Sequence, residues 1–273
     1  MKHLNKITAL LLAATALVGC DEKGPDDRLI YVKPAEVNRA VLIEDYTGQR
    51  CVNCPRATAV IEQLQEQYGD DKVIAVGIYS GPFGKSVKGT PYKLTTATGN
   101  EYFAHFGLDF QPIGLVNRHG AMLHTDWAAE VTSELAKTAP LEINVMATAA
   151  PGSKEIAISV TASGSSGTVA GNLQIWLIED GIVAYQERHD PIDNDNVTIS
   201  DTQYVHNHVF RCAVNGTWGQ EFSIAEGELK TVNSAYTAAD DWVVENMSAV
   251  AFVYDDNGVL QVAKAKVTAS STD

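Results

Sequence analysis

The pair Cys51-Val-Asn-Cys54 holds the side chains in this sequence best suited to chemistry. A thiolate is a nucleophile and a metal ligand, and two nearby thiols can close into a disulfide and reopen. What the pair does depends on where the chain puts it. Upstream, Val41, Ile43 and Asp45 alternate with Leu42, Glu44 and Tyr46, the period of a strand, and Thr47-Gly48 breaks it. Downstream, Ala57, Val60, Ile61, Leu64 and Tyr68 form an apolar stripe at helical spacing. The cysteines therefore lie between a strand's end and a helix's start, where backbone N–H groups and the helix dipole stabilise a thiolate. Reversible thiol–disulfide exchange is the sharp expectation, and a permanent disulfide capping the helix is the bland one. A structural zinc site would need two more ligands, and no second CxxC or nearby His pair has the spacing.

Strand, CxxC and helix in this order resemble the thioredoxin superfamily. The resemblance implies roles for individual residues. Cys51 would be the exposed nucleophile and Cys54 the more buried resolving thiol. Asp45, six positions before the first cysteine, would be the buried carboxylate that helps move the Cys54 proton, with Glu44 as the substitute if the register slips by one. The bland alternative for Asp45 is an acid that ends a strand and caps a turn. Phe110-Gln-Pro-Ile-Gly-Leu-Val116 resembles the family's cis-proline loop and following strand, which makes Gln111-Pro112 the candidate bond. Two departures stand out: Arg50 replaces the aromatic residue usual before the first cysteine, and Pro55 follows the pair instead of lying within it.

The N-terminus reads as an export signal. Lys2 and Lys6 supply a basic start, and Ile7 to Val18 is an apolar run too short to span a bilayer comfortably. Leu17-Val18-Gly19-Cys20 looks like a bacterial lipobox, with cleavage before Cys20 and acylation of that cysteine, palmitate included; an ordinary secretory signal with a chance cysteine is the alternative. The expected divisions are a signal peptide at 1–19, a flexible acidic tether at 20–36, a thioredoxin-like domain at 37–139 and a β-sandwich at 140–273. Formal charge is −14, and loss of Lys2 and Lys6 makes it −16. Such an acidic surface argues against nucleic acid and against electrostatic docking on anionic lipid, so membrane attachment is expected through the lipid alone.

Alternating strand and helix patterns run from Val41 to about Thr138. Lys72 to Tyr79 reads as a buried strand, Tyr92 to Phe106 as helical, and Trp127 to Lys137 as an amphipathic helix after a turn at Arg118-His-Gly120. Beyond Ala139-Pro140 the period switches to two, with about seven strands and a hairpin signal at Asp256-Asn257-Gly258. The expected fold class is thus an α/β thioredoxin-like domain followed by an all-β immunoglobulin/fibronectin-like sandwich. The lipobox, the run Tyr46-Thr-Gly-Gln-Arg-Cys-Val-Asn-Cys-Pro55 and Tyr204-Val-His-Asn-His-Val-Phe-Arg211 together resemble the outer membrane protein 28-related lipoprotein family. This implies lipid anchorage at the outer membrane, on the periplasmic side or the cell surface. The expected function is thiol–disulfide exchange with the thiols or disulfides of exported proteins, without a cofactor. The alternative is a non-catalytic surface binding or adhesion lipoprotein with a structural disulfide.

Four further features have bland defaults. His206 and His208 on a strand would share one face and could hold a metal, but lack a third ligand. Asp190-Pro-Ile-Asp-Asn-Asp-Asn196 offers oxygens for calcium without the glycine and terminal glutamate of an EF-hand loop. Cys212 reads as a small buried hydrophobe, and Trp176, Trp218 and Trp242 as sandwich core and rim.

Overall fold

The computed structural model describes residues 34–85, 94–190 and 194–270, the last without the side chains of 194–196. The first half runs β1 (Val37–Asn38), β2 (Val41–Thr47), α1 (Cys54–Tyr68), β3 (Val73–Tyr79), α2 (Ala97–His105), β4 (Ile113–Val116), β5 (Ala121–Met122) and α3 (Trp127–Leu135). Among the described residues, only strands and one 3-10 turn follow: β6 (Thr138–Ala139), β7 (Leu141–Ala149), β8 (Glu155–Gly164), β9 (Thr168–Glu179), β10 (Ile182–Asp190), β11 (Asn194–His206), β12 (Val209–Ala213), β13 (Gln220–Ala225), β14 (Leu229–Thr237), β15 (Met247–Asp255) and β16 (Gly258–Ala269).

Local sequence explains the first elements. Pro55 enters α1 in its first turn, where its missing N–H costs nothing. Ala57, Ile61 and Leu64 bury the inner stripe, and Gly69 at φ 95° ends the helix. The Thr96 hydroxyl caps α2 by accepting from the Gly99 amide at 2.9 Å. The hairpin β15–β16 turns where the sequence signals it, with Asp255 opposite Gly258 and Gly258 at φ 119°.

The expected division into an α/β thioredoxin-like domain and a separate sandwich is overturned. Strands from both halves join one twelve-stranded sheet, ordered β14-β8-β7-β16-β15-β9-β12-β3-β2-β4-β5, with β13 also on β9. The seam is β12, antiparallel to β9 on one side and parallel to β3 on the other through Val209 opposite Gly77. The predominant architecture is therefore extended β-sheet, with three α-helices among the described residues. Alternating and continuous apolar runs marked most strands of this sheet, but not β14, nor β10 and most of β11 outside it. Which strand pairs with which across well over a hundred residues left no local signal.

Two cores share β9 and β15. Leu173, Ile175 and Leu177 on one side of β9, with Ala249, Ala251 and Val253 of β15, pack against Leu141 and Ile143 of β7 and Ile156, Ile158 and Val160 of β8. Trp176, Ile178, Val250 and Phe252, on the opposite sides of the same strands, pack with Leu42, Tyr46, Ile74, Val76 and Ile78. Trp176 thus belongs to the junction and not to the sandwich interior. A third cluster covers the other face of β2 and β3, where Val41, Ile43, Val73 and Ala75 meet Ala57 and Ile61 of α1 and Trp127 and Val131 of α3. Gly114 lets α3 come this close, since a Cβ there would lie 2.4 Å from the Trp127 ring.

Candidate functional site

Strand β2 sorts its two adjacent acids onto opposite faces. Glu44 points with Leu42 and Tyr46 into the junction core and pairs with Arg118, whose Nη2 lies 3.0 Å from a Glu44 oxygen. The guanidinium is surrounded by rings, 4.4 Å from the Tyr254 centroid and 4.9 Å from that of Phe252. A carboxylate so engaged serves structure. Asp45 faces the other way, toward α1. It is 3% exposed, and burial pushes its carboxyl up to about 8. Its Oδ1 has no hydrogen-bond partner among the described residues. Asp45 lines a small cavity of about 20 Å3 with Thr58 and Ile61 of α1, Tyr79 of β3, and Tyr204 and His206 of β11.

Past the end of β2 the chain turns into the cysteine pair. Cys51 and Cys54 are joined in a disulfide, and the residues are 3% and 1% exposed. Cys54 opens α1. The Cys51 amide donates to the Gly48 carbonyl at 3.0 Å and the Cys54 amide to the Cys51 carbonyl at 3.2 Å, so residues 48–54 form two consecutive tight turns. Gly48 has no substitute here: a Cβ would lie 2.3 Å from the Phe83 carbonyl group. Gln111–Pro112 is a cis peptide bond. The Gln111 side chain donates to the carbonyls of Thr47 and, at 2.9 Å, Ser80, and accepts from the Phe83 amide at 3.1 Å. It thereby fastens the cis-proline loop to the end of β2 and to the turn after β3.

The remaining wall comes from a distant part of the chain. Strands β10 and β11 pair only with each other and form an arm whose β10 edge lies on the disulfide loop. Buried Gln186 donates from Nε2 to the carbonyls of Gly48 at 3.2 Å and Cys51 at 3.0 Å. The Glu187 amide donates to the Gln49 carbonyl at 2.8 Å, and Gln49 Nε2 donates to the Tyr185 carbonyl at 2.8 Å. His189 Nε2 meets Asn53 Oδ1 at 2.9 Å, and Arg50 approaches Glu187 at 3.9 Å. Sequence reasoning found a strand at His206 but missed the β10–β11 pairing and its contact with the disulfide loop. Gln49 and Gln186 stand 137 positions apart in the sequence, and no local pattern links them.

The other candidates resolve as follows. His206 is buried, and its Nδ1 shares a 2.6 Å hydrogen bond with the Tyr79 hydroxyl; burial lowers its imidazole to about 4. His208 lies beyond the end of β11 at φ 56°, with its amide and ring on Asp180, so the two imidazoles do not present one face. Asp190 closes β10 and Asn194 opens β11, while residues 191–193 and Cys20 lie outside the described residues. Burial pushes the Cys212 thiol up to about 12, where it is inert as a nucleophile at neutral pH. Among the described residues, His119, Glu130 and Glu134 bring ligand atoms within 4.8 Å of one another. Glu134 is already engaged by Asn117, Arg39 and Lys137, so a cation there would compete with two resident positive charges. Among the described residues, no helix is long and apolar enough to cross a membrane.

No curated protein sequence matches the chain. Among solved structures, HBP35 of Porphyromonas gingivalis superposes with a TM-score of 0.63 at 15% identity, over 87% of this chain and 79% of that one, which shows a shared fold. A domain of the outer membrane lipoprotein Omp28 from Porphyromonas gingivalis is 28% identical over 49% of this chain and 92% of that one, with a TM-score of 0.34. The model of the family described as outer membrane protein Omp28 matches residues 99–271, well over half of the sequence. The chain therefore belongs to the Omp28 family of outer membrane proteins.

Proposed function

We propose that this outer membrane protein is held to the bilayer by lipid on Cys20 and acts by binding other exported molecules, with Cys51–Cys54 as a fixed disulfide. The burial of the pair carries this reading. At 3% and 1% exposure, and with the Cys51 carbonyl held by Gln186 of the arm, the pair is closed to an incoming thiolate. Exchange requires in-line access to a sulfur, so a covered disulfide behaves as a staple. Equilibration of the protein against glutathione tests this. A reduction potential below about −300 mV is expected, and a value within roughly −270 to −120 mV, the span of working dithiol carriers, would overturn it. The anchor is tested separately: incorporation of a palmitate analogue should vanish in Cys20→Ser, and persistence of the label would show another attachment.

One observation favours thiol–disulfide exchange on exported proteins as a second reading. Asp45 is buried beside the first turns of α1, carries an unpartnered oxygen and retains its proton near neutral pH. A carboxyl in that state is matched to proton transfer at pH 7. Under this reading Cys51 attacks, Cys54 resolves and Pro112 shapes the adjoining loop. The same potential measurement separates the two.

A further inference from the structure

We infer that the Cys51–Cys54 disulfide is the clasp of the β10–β11 arm, so that breaking the disulfide frees the arm while the sheet stays folded. This rests on the reading of the disulfide as structural and gives it a specific task.

The arm is a self-contained ribbon. Its register runs from Ile182 opposite His206 to Asp190 opposite Asn194, interrupted by irregularities after Ala184 and His189. An isolated two-stranded ribbon is marginal in water, so its order depends on what it lies against. Near its root it has apolar support: Ile182 and Ala184 pack with Tyr79, Leu94 and Val209, and His206 bonds Tyr79. Further out, the support is polar and converges on one loop. Bonds from Tyr185, Gln186, Glu187 and His189 all end on residues 48–53.

That loop takes its shape from the disulfide. The carbonyls of Gly48 and Cys51 each accept twice, once from the amide three residues on and once from Gln186. Their directions are set by two consecutive turns that meet at Cys51, the second of which the Cys51–Cys54 bond closes covalently. Reduction by a dithiol delivers two electrons and two protons, leaves two thiols on the protein and converts the reductant to its disulfide. The turn is then no longer closed covalently. A set of geometrically dependent bonds to one loop is lost together when that loop relaxes, which makes the outer arm a local opening unit. Loss of the outer arm would in turn expose the Gly48 and Cys51 carbonyls and the Gln49 side-chain amide, all of which it now covers.

The test is hydrogen exchange on the full chain in detergent, oxidised and after dithiothreitol, with completeness read as two alkyl groups on the peptide carrying Cys51 and Cys54. Amides at 185–189 and 198–201 should exchange at least about tenfold faster when reduced, while β15 and β16 keep their protection. Cys51→Ser/Cys54→Ser should do the same without reductant. Gln186→Ala should loosen the same segment with the disulfide intact, which keeps the inference testable if the double variant fails to fold. Unchanged arm exchange in fully reduced protein overturns the inference, and so does loss of protection throughout the sheet. The reduction potential decides the functional reading independently: an arm that opens at a potential inside the carrier range would retain the clasp and discard the fixed disulfide.

Discussion

The β9–β15 pair and the β10–β11 arm are both antiparallel ribbons of similar length, yet they are held by different forces. In β9–β15, from Met247 opposite Glu179 to Tyr254 opposite Asn172, side chains on both faces enter apolar cores. In the arm, the root has a small apolar cluster, and the outer part rests on side-chain amides and main-chain bonds to a single loop. Ladder hydrogen bonds are common to both and contribute modest net free energy. Apolar burial is what separates a permanent seam from a detachable part.

The seam should therefore show the largest effects. Trp176 lies with its centroid 4.7 Å from Phe252 and 5.2 Å from Phe210, and its Nε1 donates to the Tyr102 hydroxyl at 3.1 Å. Trp176→Ala should cost about 3–5 kcal/mol, read as a lower denaturant midpoint in every probe. A cost under about 1 kcal/mol would mean that the junction is not a close-packed core. Glu44→Gln should be of comparable size, because it strands Arg118 as an uncompensated charge among the rings. Removing one member of a buried pair costs about 3–5 kcal/mol. Replacing both residues by apolar ones should recover much of that loss, and failure to recover would show that the pair does more than neutralise itself.

The next effect is a pH dependence near the disulfide. Asp45, raised to about 8, keeps its proton in the fold after the unfolded chain has released it. It therefore subtracts stability as pH rises from about 4 to 8, by about 1.4 kcal/mol per unit. His206, lowered to about 4, stays neutral in the fold while the unfolded imidazole binds a proton below about 6.5, so it adds stability as pH rises over that range. The two slopes oppose one another between about pH 4 and 6.5, and above that Asp45 acts alone to about 8. A flat stability profile followed by a decline is expected from this pair. In Asp45→Asn the decline should disappear; if it persists, the carboxyl is already ionised in the fold.

The same contrast explains what the residues disclosed. The turn at Gly258, the helix opening at Cys54 and Pro55, and the alternating sides of β2 are local consequences of backbone preference and solvent, and all are legible in a window of ten residues. Reading two autonomous domains failed at Val209 and Gly77, where β12 extends the sheet through a contact with no local requirement. The placement of Asp45 followed from strand parity. Its neighbours His206 and Tyr204, and the whole cover formed by Gln186, came from a ribbon that the sequence marks only as polar strand. Polar hydrogen bonding across such a separation has no period to detect, whereas apolar packing does.

The smallest expected effect sharpens that distinction within the arm itself. Arg50 and Glu187 face each other at 3.9 Å, and the Arg50 side chain is 54% exposed. A pair this loose and this wet contributes about 0–1 kcal/mol, less with salt. Gln186, next to Glu187 in the chain and buried, donates to the Gly48 and Cys51 carbonyls, and a buried bond of this kind is costly to lose. Arg50→Ala should therefore leave arm exchange nearly unchanged at physiological salt, although it removes a charged contact between the arm and the loop. If Arg50→Ala opens the arm as far as Gln186→Ala does, charge and not the buried amide holds the cover, and raising the salt concentration alone should then release it.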